Sequence, residues 1–399
     1  MNALYISYDG ATDSLGQSQI IPYLKGLARK GLHFVLVTFD KRNFIDKRLI
    51  PKLASELKNN NIIWARLNYH KNPPVFSTLF DIMHGLVVCL FIAKRRNISV
   101  VHARSYVASL IAIIMKKMLG LKFIFDMRGF WADERVEGFI WKRKGFLYWI
   151  TKFFEKKFLK NADEIVVLSE AAKDIIRFWG YPVNNVSVIP CCTDTDYFKS
   201  DISYQSKLRE KYDLTGKFVF VHTGSLEYCY MKEAMLDYFK IAKEFIPQAH
   251  FLVLSHSDKS KILKLIKDKN LNLRDFTMLT IPFADMPKYL TVADVGLIFI
   301  TPVFSKRASC PTKFAEYLSC CLPVIINKEI GDLEDYVTRN NVGVVVSDFT
   351  DNEYRLTFKK LLSLLNDKDL KSRCRQAACE NFSLHLGINK YYEVYSRLR

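Results

Sequence analysis

The chain has 399 residues, a net charge of +18 and 49% hydrophobic residues. That length exceeds what one hydrophobic core usually supports, so two domains are expected, and the apolar share excludes a disordered chain. The excess of basic residues points to an anionic partner, and its distribution along the chain has to say which.

The N-terminus, MNALYISYDG, has no basic leader region, and Asp9 interrupts its apolar run, so no signal peptide is expected. LYISY (Leu4–Tyr8) and HFVLVTF (His33–Phe39) read as strands around a helical stretch, Gln17–Lys30. Ile82–Ala93 is the most apolar segment, but it is short and carries His84, so no membrane span is expected. ISVVH (Ile98–His102), a helix over Ser105–Leu119, KFIFD (Lys122–Asp126), EIVVLS (Glu164–Ser169) and VSVIP (Val186–Pro190) follow. Between the third and fourth of these lies Trp141–Lys160, with seven Lys/Arg against one Glu. Phe146, Trp149, Phe153 and Phe154 recur there at helical spacing with lysines between them. A basic amphipathic helix of this kind suits an anionic membrane surface. The alternative is a helix that packs its aromatics on its own sheet and leaves its lysines solvated. Charge concentrated in one such helix speaks against nucleic acid as the partner.

CCTDTDYFKSDISYQ is polar and turn-rich, and a linker is expected over 191–216. The strand and helix alternation then restarts with KFVFVH (Lys217–His222), HFLVLS (His250–Ser255), FTMLTI (Phe276–Ile281), DVGLIFI (Asp294–Ile300), PVIIN (Pro323–Asn327) and GVVVS (Gly343–Ser347). Near-continuous apolar strands separated by helices indicate parallel sheets covered on both faces. The expected organisation is α/β: a first doubly wound domain over 1–190, the linker, a second over 217–380, and a helical segment over 381–399. Two such domains facing each other would hold a ligand at the carboxyl ends of their strands.

SCPTKFAEYL (Ser309–Leu318) puts a lysine and a glutamate three residues apart at a helix start. Pro311 suits the first turn, and the free N–H groups there favour a phosphate. Lys313 adds a cation for a diphosphate, and Glu316 is placed to accept from a pair of ribose hydroxyls. In isolation the same fragment reads as a surface i,i+3 ion pair of little energetic weight.

With LGQSQIIPYL (Leu15–Leu24), VHARSYV (Val101–Val107), FDMRGFWADERVEG (Phe125–Gly138), ADEIVVLS (Ala162–Ser169), IPCCTDTDYF (Ile189–Phe198), TGSLEYCYM (Thr223–Met231) and IGDLEDYV (Ile330–Val337), that segment resembles retaining glycosyltransferases of family 4. The likeness is to the bacterial surface-polysaccharide type, for lipopolysaccharide or capsule. The resemblance implies the GT-B fold, with the C-terminal helix returning to the first domain. It implies transfer of a sugar from a UDP- or GDP-sugar to a lipid-linked or polysaccharide acceptor, without metal or cofactor. The enzyme would act in the cytoplasm, peripherally, on the inner face of the cytoplasmic membrane. The donor site implied is Gly16, Gly224, Ser225, Arg307, Pro311, Thr312, Lys313 and Glu316. Glu316 matches the second glutamate of the family's E-x7-E motif, while Ala308 stands where the first would be. Ser225 stands where many members have arginine, which leaves Lys313, Arg307 or Lys232 as the cation. Asp126 and Lys313 are the catalytic candidates, and Arg104 and Arg128 belong to the acceptor side. Asp126 alternatively holds the turn after its strand, and His102 reads as a satisfied core histidine.

Asp194–Asp196 imitates a D-x-D metal motif, but its place in the linker assigns it to a turn. The nine cysteines form no CxxC pair and read as free thiols. Two rival functions share the fold, a nucleotide-sugar epimerase and a catalytically degenerate scaffold subunit, the latter favoured by Ala308 and Ser225.

Overall fold

The computed structural model describes residues 1–41 and 49–399. The chain forms two compact units: Met1–Pro190 together with Leu384–Arg399, and Cys191–Ser383.

In the first unit, β1 (Asn2–Ser7), β2 (His33–Asp40), β3 (Ile62–Asn68), β4 (Val100–Arg104), β5 (Lys122–Asp126), β6 (Glu164–Val167) and β7 (Val186–Val188) form a parallel sheet in the order β3-β2-β1-β4-β5-β6-β7. Leu4 stands opposite both Val35 and Val101 at its centre. All five residues of β4 are buried, as a parallel strand covered on both faces requires. β3, IIWARLN, is an addition to the expected strands. Trp64 is only half-buried and Arg66 is exposed, and this edge strand lacks the continuous apolar run that marks the central ones. The expected helix over Gln17–Lys30 is two helices, Ser14–Gln19 and Ile21–Arg29, joined at Ile20, with Pro22 in the second one's first turn.

Successive strand residues point to opposite faces, and this sorts the helices into layers. Phe125 meets Tyr106 and Phe158, from the helices Ser105–Leu119 and Phe146–Asn161. Its neighbour Asp126 meets Tyr391 from the C-terminal helix Leu384–Ser396. The helices Phe76–Arg96, Ser105–Leu119 and Phe146–Asn161 thus lie side by side on one face, the middle one touching both others. Ile21–Arg29 and the C-terminal helix cover the other. Ile388 lies where a Cβ on Gly26 would be, 2.1 Å from its Cδ1, so only glycine admits this approach.

One expectation changes here, and one alternative falls. The helix Phe76–Arg96 has 21 residues and is long and apolar enough to cross a bilayer, contrary to the expectation from Ile82–Ala93 alone. Its buried Asp81 and Gly85 tie it to the sheet of its own unit. The basic helix, in turn, does not pack its leading aromatics inward: Phe146, Trp149 and Phe153 are exposed, and Glu155, Phe158 and Leu159 are the buried positions. Nor are all its lysines solvated. Lys152 pairs with Asp133 (3.0 Å) and Glu155, and Glu155 accepts from Tyr106 Oη.

In the second unit, β8 (Phe218–Thr223), β9 (Ala249–Leu254), β10 (Phe276–Leu279), β11 (Val295–Ile298), β12 (Val324–Asn327) and β13 (Gly343–Val346) form a parallel sheet in the order β10-β9-β8-β11-β12-β13. Its core is aromatic, with Phe220, Tyr238, Phe239, Phe251, Phe299 and Phe358 in one cluster. The segment expected as a linker belongs to this unit and contains a helix, Ile202–Lys211, capped by Asp201. Asp194 Oδ1 accepts from the backbone N–H groups of Asp196 and Tyr197, both at 3.1 Å, and so closes a turn. The cysteines are free thiols.

Candidate active site

In the second unit the carboxyl end of β8 and the helix Thr312–Ser319 meet. Pro311 caps that helix with extended backbone, and Thr312 opens it. Tyr317 fixes the helix against the sheet: its hydroxyl accepts from the Thr223 N–H at 2.7 Å. Its ring fills the space over Gly296, where a Cβ would stand 2.1 Å from Cδ2. Beyond β8 the chain turns at Gly224 (φ +85°), whose N–H donates to the Leu254 carbonyl at 2.8 Å. Gly224 and Ser225 are exposed.

Lys313 is buried rather than paired on the surface. Its Nζ stands 3.2 Å from His222 Nε2 and 3.8 Å from the centroid of the Tyr230 ring. His222 Nδ1 stands 3.0 Å from the Leu297 carbonyl oxygen, and its Nε2 lies between the Lys313 ammonium and the Ser225 carbonyl oxygen (3.2 Å each). Burial, reinforced by Lys313, brings the imidazole down to about 3, so it stays neutral. A cation over a ring face is attracted by the ring's quadrupole, but neither partner neutralises it. Burial brings Lys313 down to about 7, with Glu316 partly opposing the shift. Glu316 is equally buried, and burial pushes it up to about 7, with Lys313 partly opposing. The two side chains form no ion pair, and no described residue donates a hydrogen bond to the Glu316 carboxylate. Nζ would lie 3.5 Å from a Cβ on Gly224, so an anion resting on that exposed turn is within its reach.

Of the remaining donor candidates, Arg307 is exposed in the 3-10 turn Phe304–Ala308, and Ala308 is buried, its methyl standing where the resemblance expects a carboxylate. Gly16 is buried in its short helix. A Cβ there would lie 2.3 Å from the Gly10 carbonyl oxygen, so this glycine serves the close approach of the preceding loop.

In the first unit, Asp126 ends β5 with no exposed surface. Tyr391 Oη donates to its Oδ2 at 3.0 Å. His102 Nε2 (3.6 Å), Arg104 Nη1 (3.7 Å) and Arg128 Nη1 (3.7 Å) surround it. Burial alone would raise this carboxyl, but Arg128, His102 and Arg104 together bring it to about 2. Arg104 is also buried, and Arg128 adopts φ +59°. His102 is the core histidine expected, its Nδ1 at 2.8 Å from Tyr395 Oη. Asp126 is therefore enclosed by its own unit's side chains, where the resemblance had implied a residue facing substrate.

His222, Tyr230, Tyr317, Tyr391 and Tyr395 were not read as part of either cluster from the sequence. Each reaches its partner across long stretches of chain, and only an aromatic or imidazole at a strand or helix end marked them.

Residues 20–197 match the family model Glycosyltransferase Family 4, and residues 303–361 match the Glucosyltransferase 3-like, C-terminal domain. No curated protein matches the chain in sequence. Among solved structures, sucrose-phosphate synthase from Thermosynechococcus elongatus is similar over 100% of this chain and 98% of that one, with 16% identity and a TM-score of 0.78. HepE from Anabaena, in complex with UDP and glucose, is similar over 99% of each chain, with 13% identity and a TM-score of 0.73. WaaG, a glycosyltransferase involved in lipopolysaccharide biosynthesis, is similar over 98% of this chain and 99% of that one, with 13% identity and a TM-score of 0.67. Two parallel α/β units of this topology, matched over nearly the whole chain by these structures, define the GT-B fold. The stretch 20–197 is thus similar to glycosyltransferases of family 4.

Proposed function

We propose that this chain is a glycosyltransferase that moves a hexosyl group from a nucleotide-diphosphate sugar, with retention at the anomeric carbon, to an acceptor carried by a membrane lipid in bacterial surface-polysaccharide synthesis. The observation that carries the donor half is the buried, unbridged pair Lys313 and Glu316 beside the exposed Gly224–Ser225 turn. A buried cation without a counter-ion and a buried carboxylate without donors are both unfavourable. A diphosphate answers the first and a pair of ribose hydroxyls the second. HepE's complexes with UDP and with UDP-glucose favour UDP over GDP for a chain of the same fold.

The reaction breaks the bond between the anomeric carbon and the diphosphate oxygen, so charge develops on that oxygen. Lys313, beside the exposed Gly224–Ser225 turn, is placed to stabilise it. The bond to the acceptor oxygen forms on the same face, and the leaving phosphate takes the acceptor proton. Lys313 supplies the positive charge in this reading, which makes the transfer metal-independent. The acceptor half rests on the basic helix, whose exposed Phe146, Trp149 and Phe153 suit an anionic bilayer. In this reading the enzyme sits peripherally on the cytoplasmic face of the membrane.

Thermal unfolding with UDP, GDP and their sugar conjugates tests the donor half. A ligand at 100 times its Kd adds about 2.7 kcal/mol. UDP is expected to stabilise the wild type, and Glu316→Ala to abolish the effect. Buried Ala308 and exposed Ser225 favour the scaffold reading, which takes over if no nucleotide stabilises the wild type.

A further inference from the structure

The helix Phe76–Arg96 takes no part in either cluster above. Its inner face is anchored: Asp81, fully buried, accepts from Tyr8 Oη (2.8 Å) and the His70 N–H (3.0 Å). Phe39 and Ile111 close over Gly85, and Cys89 and Ala93 are buried behind it. These ties hold the helix flat on its unit instead of across a bilayer.

Its outer face is apolar and uncovered. Phe76, Leu79, Phe80, Met83, Val87 and Phe91 are each between 54 and 73% exposed. Their spacing of three and four residues sets them on one stripe, about 22 Å long. His84 is the only polar residue among the exposed positions from Phe76 to Phe91. Lys94, Arg95 and Arg96 close the far end, and the Arg95 guanidinium lies over the Phe91 ring. A contiguous apolar face of this size marks a surface that meets a partner.

The orientation of the stripe indicates which partner. Asn2, at the start of β1, donates to the Arg96 carbonyl (2.9 Å), while Tyr8, just past the end of β1, holds Asp81. The helix therefore runs against the strands, and Phe76 to Phe80 lie at their carboxyl edge, where ligands enter sheets of this kind. The basic helix lies in the same layer, beyond Ser105–Leu119, with Phe146 and Trp149 exposed at its leading end. Both stripes are flanked by cations, Lys94 to Arg96 on one and Lys142 to Lys144 on the other. A second copy of a chain with net charge +18 would repel these flanks, whereas anionic headgroups attract them.

We infer that the Phe76–Arg96 helix is a second bilayer-contact element. It lies in the membrane plane with its stripe in the interfacial region, beside the basic helix. This deepens the reading of a membrane-borne acceptor and rests on it.

The test is cosedimentation of the full chain with phosphatidylcholine vesicles, with and without phosphatidylglycerol. Wild type is compared with Met83→Gln/Val87→Gln/Phe91→Gln and with Trp149→Gln/Phe153→Gln. All five positions are exposed, so both variants should melt as wild type and keep its response to UDP. Wild type is expected to sediment with the anionic vesicles, and each variant to lose about tenfold or more in partitioning. If only the Trp149/Phe153 variant loses binding, the membrane reading stands and the second contact is overturned. If wild type ignores both vesicles, the membrane reading and this inference fail together, whatever UDP does. A stripe variant that changes oligomeric state with unchanged partitioning makes the face a contact between copies, and also overturns it.

Discussion

Lys313 and Glu316 leave their ordinary ranges in opposite directions for one reason: burial disfavours both charges, and neither has a full counter-charge in contact. Folded Lys313, at about 7, holds its proton less firmly than the unfolded side chain, so stability rises as pH goes from about 7 towards 10.5. Folded Glu316, raised to about 7 from 4.5, holds its proton more firmly, so stability falls between those values. The ligand-free chain therefore has a stability dip near neutrality, which a bound nucleotide relieves. Lys313→Met should stabilise the free protein by roughly 1–3 kcal/mol at pH 7 and by less at pH 9. The same substitution should remove the gain from UDP. Urea unfolding at the two pH values checks this. A variant less stable than wild type, or one with an unchanged pH slope, would show that Lys313 is not held as a strained charge. The helix start around Pro311 was legible in the sequence. The burial was not, because His222 is 91 residues away and Tyr230 lies in a loop with no pattern of its own.

At the scale of an element, the C-terminal helix is the clasp of the first unit. Tyr391 and Tyr395 reach Asp126 and His102, and Arg397 makes a two-pronged pair with Glu164 at 2.9 and 2.7 Å. Asp126 sits below its unfolded value, at about 2 against 3.8, because its cationic neighbours outweigh burial. Its contribution to stability is thus present above about pH 4 and is lost as pH falls from 3.8 through 2. Asp126→Asn leaves Arg104 and Arg128 without their carboxylate and should destabilise by about 3–5 kcal/mol. Tyr391→Phe removes one donor and should cost about 1–2 kcal/mol. Chemical denaturation of both variants beside transfer assays separates the two roles. An Asp126→Asn protein that unfolds like wild type but transfers no sugar would return Asp126 to the catalytic set.

For the molecule as a whole, the two units differ in how the chain builds them. The second is one continuous run, Cys191–Ser383, with its own aromatic core, whereas the first needs both Met1–Pro190 and Leu384–Arg399. A fragment over 191–383 should unfold cooperatively on its own. A fragment over 1–190 should not, since it lacks the partners of Asp126, His102 and Glu164, and adding back the C-terminal helix in the same chain should restore it. Circular dichroism melts of the three fragments decide this. A cooperative 1–190 fragment would show that the clasp is dispensable.

The sequence alone determined that this is a two-sheet parallel α/β chain, because strands covered on both faces must be apolar throughout and are read as continuous runs. It also placed Lys313, Glu316 and Gly224 at the ends of elements, where such sheets bind ligands. β3 escaped because an edge strand needs no continuous apolar run. Helical periodicity defined the stripes of the basic helix, and what covers a stripe is a property of its neighbours. Tertiary structure decided that Phe146, Trp149 and Phe153 stay outside, that the long apolar helix lies half-buried with Phe76 to Phe91 uncovered, and that Asp126 is enclosed by a helix from the far end of the chain. Burial is set by contacts distant in sequence, and no local pattern encodes them.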